Sequence, residues 1–314
     1  MSVSEQVTPD TTHATAAPVV SVKPVTLEAP GRGTDLQVRI SAPATGDRLP
    51  IVLLSHGHGS SLEGYGPLAD HWAAHGFVVV QPTHLDSRTV GLAQDDPRTP
   101  HLWRLRVQDL TRALDQLDLL EAAVPGLAGR LDRARVAVAG HSFGGQTAGV
   151  LLGQRVLDPA GGEGEDLSDA RITAGVLLAT AGRGGADLSP YAAEHFPFMN
   201  PDFTHLRAPA LVVAGDRDDS PLSTRGPEWF TDPYHLSPGP KSLLTLFGAE
   251  HSLGGIAGYE ARETTDENPD RLALLQRVTL AYLRHALGVE SADWATTREA
   301  LAHDAAPLGR IESR

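Results

Sequence analysis

"VAVAGHSFGG", residues 136–145, is the stretch whose reading decides the fold. Small and branched apolar residues run into Gly140-His141-Ser142-Phe143-Gly144. Gly-x-Ser-x-Gly between a strand and a helix is the pattern of a serine held on a sharp turn with its hydroxyl exposed. The same five letters also fit a glycine-rich bend that contains a serine. What separates the two is whether the rest of the chain supplies partners for Ser142, in order and in the right structural places.

Composition narrows the field. The chain has 314 residues, 41% hydrophobic and 21% charged, which suits one large core-forming domain. A net charge of −13 argues against the basic face that nucleic acid or an anionic membrane surface requires, so neither is an expected partner. The absence of cysteine excludes disulfides, a thiolate nucleophile and a Cys-ligated metal. No apolar run approaches the roughly 18 residues of a membrane span. Residues 1–18, MSVSEQVTPDTTHATAAP, lack the basic and apolar regions of a secretory signal and read as a disordered polar tail. A cytoplasmic protein is the expectation.

Working outward from Ser142, strand and helix patterns alternate. VVSVKPVTLEA (19–29) and DLQVRISAP (35–43), separated by Gly31-Arg32-Gly33, read as an antiparallel hairpin at one sheet edge. PIVLLSHG (50–57), FVVVQPTH (77–84), RVAVAG (135–140), ITAGVLLAT (172–180), PALVVAG (209–215) and KSLLTLFG (241–248) are apolar runs of the kind buried on both faces, the last of them being the final strand. Ser60 and Glu63 form a capping box that predicts a helix over LEGYGPLADHWAAHG, with Gly76 as its stop. After a polar loop, LDSRTVGLAQDDPRTP (85–100), the stripe Trp103, Val107, Leu110, Leu114, Leu117 predicts a second helix. DRLALLQRVTLAYLRHAL (270–287) closes the domain as an amphipathic helix.

Such alternation implies parallel strands joined by right-handed crossovers. The expected architecture is one α/β domain over 19–290, an about eight-stranded, mostly parallel sheet with helices on both faces and antiparallel pairing confined to the start. Residues 291–314 are expected to form a helical extension. The segment 181–206, which contains HFPFM (195–199), carries no strand pattern and is either a small cap or a long surface loop.

Sites in open parallel sheets form at the carboxyl ends of strands. The strand ending at Gly140 delivers Ser142, the one ending at Gly215 delivers Asp216, Asp218 and Asp219, and the one ending at Gly248 delivers Glu250 and His251. The strand ending at Leu54 delivers His56-Gly57-His58-Gly59. A nucleophile, an acid, a base and a glycine-rich loop therefore fall on one edge of the sheet. The chain order Ser, Asp, His is that of the α/β-hydrolases, unlike the orders of chymotrypsin and subtilisin.

SHGHGSS, GHSFGG, VVAGDRDD and GAEHSLGG together make the sequence resemble an α/β-hydrolase over roughly residues 35–288. Within that superfamily it is similar to the dienelactone-hydrolase-like group, with platelet-activating-factor acetylhydrolase-like esterases, bacterial cutinases and chlorophyllases. The elbow explains its own glycines, because side chains at 140 and 144 would clash where helix and strand come close. His251 is the expected general base, taking and returning the Ser142 proton. The resemblance places the acid three residues after the strand-ending glycine, at Asp218, with Asp216 and Asp219 as rivals and Asp216 also suited to bracing its loop. Phe143 supplies one oxyanion N–H as the residue after the nucleophile. By resemblance the second comes from His58, with Gly59 next in line.

The resemblance implies a serine esterase that cleaves small-molecule or polymeric esters through an acyl-enzyme, with no cofactor and no metal. An acyltransferase or thioesterase would share the same three residues, and a non-catalytic ligand-binding protein would share the fold. His56-x-His58 and the pair His71 and His75 raise a metal site, with His84 or Asp86 as a third ligand, but the histidine-glycine loop already has a role and His71 and His75 lie on a helix flanking the sheet. Gly57-x-Gly59 fails as a dinucleotide fingerprint because position 62 is Leu. Phe196, Phe198 and Met199 either line an acyl pocket or pack the cap.

Overall fold

The computed structural model describes residues 16–93, 95–158, 162–258, 265–289 and 292–314. Most of the tail, residues 1–15, lies outside them; Ala17 N–H already donates to Ala74 O at 2.8 Å. The strands are β1 (Val19–Leu27), β2 (Leu36–Pro43), β3 (Leu49–Ser55), β4 (Val78–Pro82), β5 (Leu131–His141), β6 (Arg155–Val156), β7 (Ile172–Leu178), β8 (Pro201–Asp202), β9 (Ala210–Gly215), β10 (Lys241–Leu246) and β11 (Gly309–Ser313). The helices are α1 (Gly66–Ala74), α2 (Leu102–Asp115), α3 (Leu117–Ala123), α4 (Phe143–Leu151), α5 (Pro190–His195), α6 (Asp232–Leu236), α7 (Pro269–Ala286) and α8 (Ala292–Ala302).

Among the described residues, nine strands form one sheet in the order β1-β2-β4-β3-β5-β7-β9-β10-β11. β3, β4 and β9 are buried along their whole length, which is why their sequences are unbroken apolar runs. The connection from β3 to β4 runs one way along the sheet, and the connection from β4 to β5 runs back past β3. Right-handed crossovers in opposite directions put their helices on opposite faces. Accordingly α1 packs with α7, while α2 packs with α4. Trp72 Nε1 donates to Thr279 Oγ1 at 3.1 Å and ties the first pair together. β3 and β5 run parallel, but the connections step outward in opposite directions from them, and the loops after these two strands flank the crevice where ligands bind in open α/β sheets.

The structure departs from the sequence-based expectations at the C-terminal sheet edge and at the start of α1. Antiparallel pairing is not confined to the start: β11 pairs antiparallel with β10, Leu244 opposite Ile311, so β10 is not the final strand, and residues 292–314 hold a helix followed by a strand. β11 reads Gly-Arg-Ile-Glu-Ser, and an edge strand needs only backbone pairing, so it carries no apolar run to announce itself. The capping box at Ser60 and Glu63 opens no helix. α1 starts six residues after Ser60, at Gly66 with Pro67 preset for the first turn, and Glu63 instead pairs with Lys23. The segment 181–206 holds α5 and β8, the latter paired with β6.

Candidate active site

Ser142 sits between β5 and α4 at φ 55 and ψ −120, a backbone state that a non-glycine residue adopts only under constraint. Its N–H donates to Leu178 O at 2.9 Å, which fixes the turn to β7. A Cβ on Gly140 would meet Gly144 O, and one on Gly144 would meet Ser55 O, both closer than 3.0 Å. Helix α4 thus lies directly against the backbone of β3. Gly144→Ala is expected to push α4 off β3, destabilise the fold by about 3 kcal/mol and cut turnover about 100-fold, as read by urea unfolding and ester hydrolysis. Wild-type turnover in that variant would show that the contact is not needed.

On the loop after β10, His251 Nδ1 lies 2.9 Å from Asp218 Oδ2, which comes from the loop after β9. Asp218 is 1% exposed, whereas the His251 side chain is 45% exposed. The rival Asp216 points elsewhere, its Oδ1 accepting Gly248 N–H at 2.6 Å, and Asp219 is exposed. Beneath His251, buried Asp266 accepts the N–H groups of Glu250 and Gly254 and pairs with Arg271 Nη1 at 2.9 Å. This clamp involves the stretch 252–268, of which residues 259–264 lie outside the described residues.

The loop after β3 is held from below. His56 Nδ1 donates to Gly57 O at 2.6 Å, and its Nε2 accepts His84 N–H at 3.0 Å, so the backbone on both sides dictates a neutral ring with the proton on Nδ1. Gly57 O and His58 N–H belong to one planar trans peptide, so gripping the carbonyl aims the amide. Both ring nitrogens of His56 are thereby committed and unavailable to a metal. His71 and His75, on and just after α1, have their ring centroids 4.3 Å apart, with the rings tilted by 38°. Gly59 N–H donates to Asp86 Oδ2 at 3.3 Å, and His58 Nδ1 lies 3.3 Å from the same atom. Phe143 is the first residue of α4, where amides have no intrahelical acceptor.

Two groups of the site lie outside any motif. Arg106 of α2 is fully buried and binds both carboxylate oxygens of Asp86 at 2.7 Å. It also donates to His56 O and to Thr147 Oγ1, and its guanidinium stands 4.5 Å from the Phe143 ring. Burial opposes the charge on Asp86, but Arg106 beside it holds the carboxyl well below the usual range. Arg106 lies one position off the Trp103–Leu114 stripe and Asp86 opens a polar loop, so neither was distinguishable from a surface charge. The second group is Ser55, His84 and Asp109, with Ser55 Oγ 2.9 Å from His84 Nε2 and His84 Nδ1 3.0 Å from Asp109 Oδ2. This is a second Ser–His–Asp alignment, but all three are 0% exposed. Arg32 Nε on Asp109 Oδ1, at 2.8 Å, completes it as a buried network.

Phe143 stacks on Phe198 at 5.3 Å, and Phe198 meets Phe196 edge-on at 6.0 Å, so the aromatics of 195–199 adjoin the elbow. Met199 is half-buried against the same core.

Three histidines around Ser142 are neutral. Burial, and then the nearby His251, lower His141 to a pKa of about 3. Burial and then Arg106 hold His56 and His84 well below the ordinary value. Below pH 6.5 the unfolded chain takes up protons that these folded rings refuse, so their contribution to stability is full above that pH and declines towards pH 3. For His141 the drop from pH 6.5 to pH 5, about 1.5 units, amounts to about 2 kcal/mol, and His56 and His84 act in the same direction. Burial raises the Asp109 carboxyl to a pKa of about 6, which offsets part of this loss as the pH falls; urea unfolding at pH 7.5 and pH 5 reads the net fall, and equal stabilities would refute it.

A mixed, mostly parallel sheet in this order, its connections reversing course at β3 and β5, with Ser142 on the turn that follows β5, is the α/β-hydrolase fold. Within that fold the chain resembles a group of serine esterases. A family model described as Chlorophyllase matches residues 17–156. The chain is 28% identical over 290 residues to a platelet-activating factor acetylhydrolase of Cavia porcellus, covering 78% of this chain and 59% of that protein. It is 26% identical over 216 residues to cutinase 2 of Thermobifida cellulosilytica, covering 68% of this chain and 64% of that protein. The chain spans about three fifths of the length of these curated relatives. Among the described residues, no helix is long and apolar enough to cross a membrane.

Proposed function

We propose that the chain is a serine carboxylic-ester hydrolase in which Ser142, His251 and Asp218 form the catalytic triad. The observation that carries this reading is the 2.9 Å contact between His251 Nδ1 and buried Asp218, at the same sheet edge as the strained Ser142 elbow. Ser142 Oγ attacks the ester carbonyl while His251 Nε2 takes its proton. Asp218 keeps the His251 proton on Nδ1 and stabilises the imidazolium. The amides of Phe143 and His58 receive the oxyanion, each donor supplying about 3 kcal/mol. Gly59 is the weaker choice because its N–H is already directed at Asp86. The imidazolium protonates the departing alcohol, leaving an acyl-enzyme; His251 then activates water, which releases the acid and regenerates Ser142. The relatives' names, an acetylhydrolase and cutinases, support an ester as substrate, small or polymeric.

A fluorophosphonate probe is expected to label Ser142 and to leave Ser55 untouched, because Ser55 is sealed from solvent. Ser142→Ala is expected to lower turnover of a short nitrophenyl ester by at least about 10⁴-fold. Peptide mapping and steady-state rates read the two outcomes. Labelling at another serine, or wild-type turnover in Ser142→Ala, would rule the reading out.

A further inference from the structure

His141 and Tyr65 form a hydrogen-bonded relay that no step of this chemistry uses. His141 Nε2 lies 2.8 Å from the carbonyl oxygen of His251, and His141 Nδ1 lies 2.8 Å from Tyr65 Oη. Gly57 N–H donates to Tyr65 Oη at 3.0 Å. Tyr65 and His141 are 2% and 6% exposed. A carbonyl oxygen only accepts, so Nε2 carries a proton. Burial keeps the ring neutral, with a pKa of about 3, which leaves Nδ1 bare to accept the Tyr65 O–H. Tyr65 Oη in turn accepts from Gly57. The protons therefore run in one direction, from Gly57 N to His251 O.

The relay joins loops that leave three separate strands. Gly57 follows β3, His141 ends β5 next to Ser142, and His251 follows β10. The Tyr65 backbone is tied in as well, its N–H donating to Ala257 O at 3.1 Å. Tyr65 stands at φ 63, a left-handed state that a bulky residue adopts only when its surroundings insist. Of the five non-glycine residues at positive φ among those described, Tyr65, Ser142 and Leu253 belong to these loops. The aromatic rings are in contact too, His141 with Tyr65 at 5.6 Å and with His251 at 4.8 Å.

We infer that His141 and Tyr65 are positioning residues, whose relay keeps the His251 main chain and the Gly57–His58 loop in register with Ser142. This rests on the proposed ester hydrolysis. Misalignment of the base and the oxyanion donor by a fraction of an ångström lowers kcat without changing how the ground-state ester binds. Glutamine places its amide nitrogen where histidine has Nε2, so His141→Gln keeps the donor to His251 O and gives up only the acceptor for the Tyr65 O–H, while Tyr65 Oη still accepts Gly57 N–H. Asparagine reaches only as far as Nδ1, so His141→Asn loses it.

The test is kcat per Ser142 titrated to completion with a fluorophosphonate, for wild type, Tyr65→Phe, His141→Asn and His141→Gln, with nitrophenyl butyrate as substrate. Tyr65→Phe and His141→Asn are expected to lose more than tenfold in kcat per titrated serine, with KM within threefold, and His141→Gln to stay within fivefold of wild type. Residues that merely stabilise the fold would reduce the titratable fraction and leave kcat per titrated serine unchanged. A loss smaller than tenfold in both Tyr65→Phe and His141→Asn, or a His141→Gln as slow as His141→Asn, overturns the inference. If His141→Asn does not fold, Tyr65→Phe alone decides by the same tenfold limit. Wild-type protein that takes up no fluorophosphonate would instead sink the hydrolase reading, and the relay's role with it.

Discussion

Asp218→Asn is expected to lower kcat by about four orders of magnitude while the protein stays folded. Asp218 is 1% exposed and faces His251 Nδ1, so asparagine fits the same space. It removes the charge that stabilises the imidazolium and allows an amide N–H to face Nδ1, which favours the wrong tautomer. Asp216→Asn gives the contrast. Its Oδ1 accepts from Gly248 N–H at 2.6 Å, and an asparagine Oδ1 still accepts there, so turnover is expected within about threefold of wild type. Steady-state rates on a short nitrophenyl ester, with circular dichroism as a folding check, compare the two. Equal losses, or a larger loss at Asp216, would move the acid to the other residue.

Arg106→Met is expected to cost the fold about 4 kcal/mol, because it strands the carboxylate of Asp86 in a site where both side chains are almost fully buried. Turnover falls as well, since Arg106 also binds His56 O and Asp86 also receives the Gly59 N–H. The double change Arg106→Met with Asp86→Leu separates these effects. Removing both charges is expected to recover most of the stability. Turnover stays low, because the loop has then lost the Arg106 bond to His56 O and the Asp86 acceptor for Gly59 N–H. Urea unfolding and kcat, measured on both variants, give the two numbers. A loss below 1 kcal/mol in Arg106→Met would mean that water reaches Asp86 and that the pair is no clamp.

The residues proposed for the chemistry were legible because each stands at the end of an apolar run next to a glycine. Gly140 before Ser142, Gly215 before Asp218 and Gly248 before His251 are positions where a strand stops and the chain must turn tightly. A run buried on both faces cannot be polar, so the strands identify themselves and carry their terminal residues with them. Asp216 and Asp218 were not separable on this basis: they share one turn, and only the third position of that turn faces His251. The capping box at Ser60 misled because local pattern lost to tertiary context, with Pro67 and the left-handed Tyr65 moving the helix start to Gly66. β11 was illegible because backbone pairing at a sheet edge asks little of side chains.

Sequence alone determined the α/β layering, the succession of buried strands along the chain and the sheet edge on which Ser142, His251 and the glycine-rich loop gather. These follow from periodicity and from glycine, which act over a few neighbouring residues. Tertiary structure alone decided what supports them. Arg106 with Asp86, Tyr65 with His141, and Asp266 with Arg271 join elements remote in the chain, and a charged or polar residue looks the same in sequence whether it is solvated or buried. Burial also separates the two Ser–His–Asp alignments. Ser55, His84 and Asp109 have the contacts of a triad, but at 0% exposure no ester reaches them, whereas Ser142 stands on an elbow that the sheet's switch point leaves open to solvent.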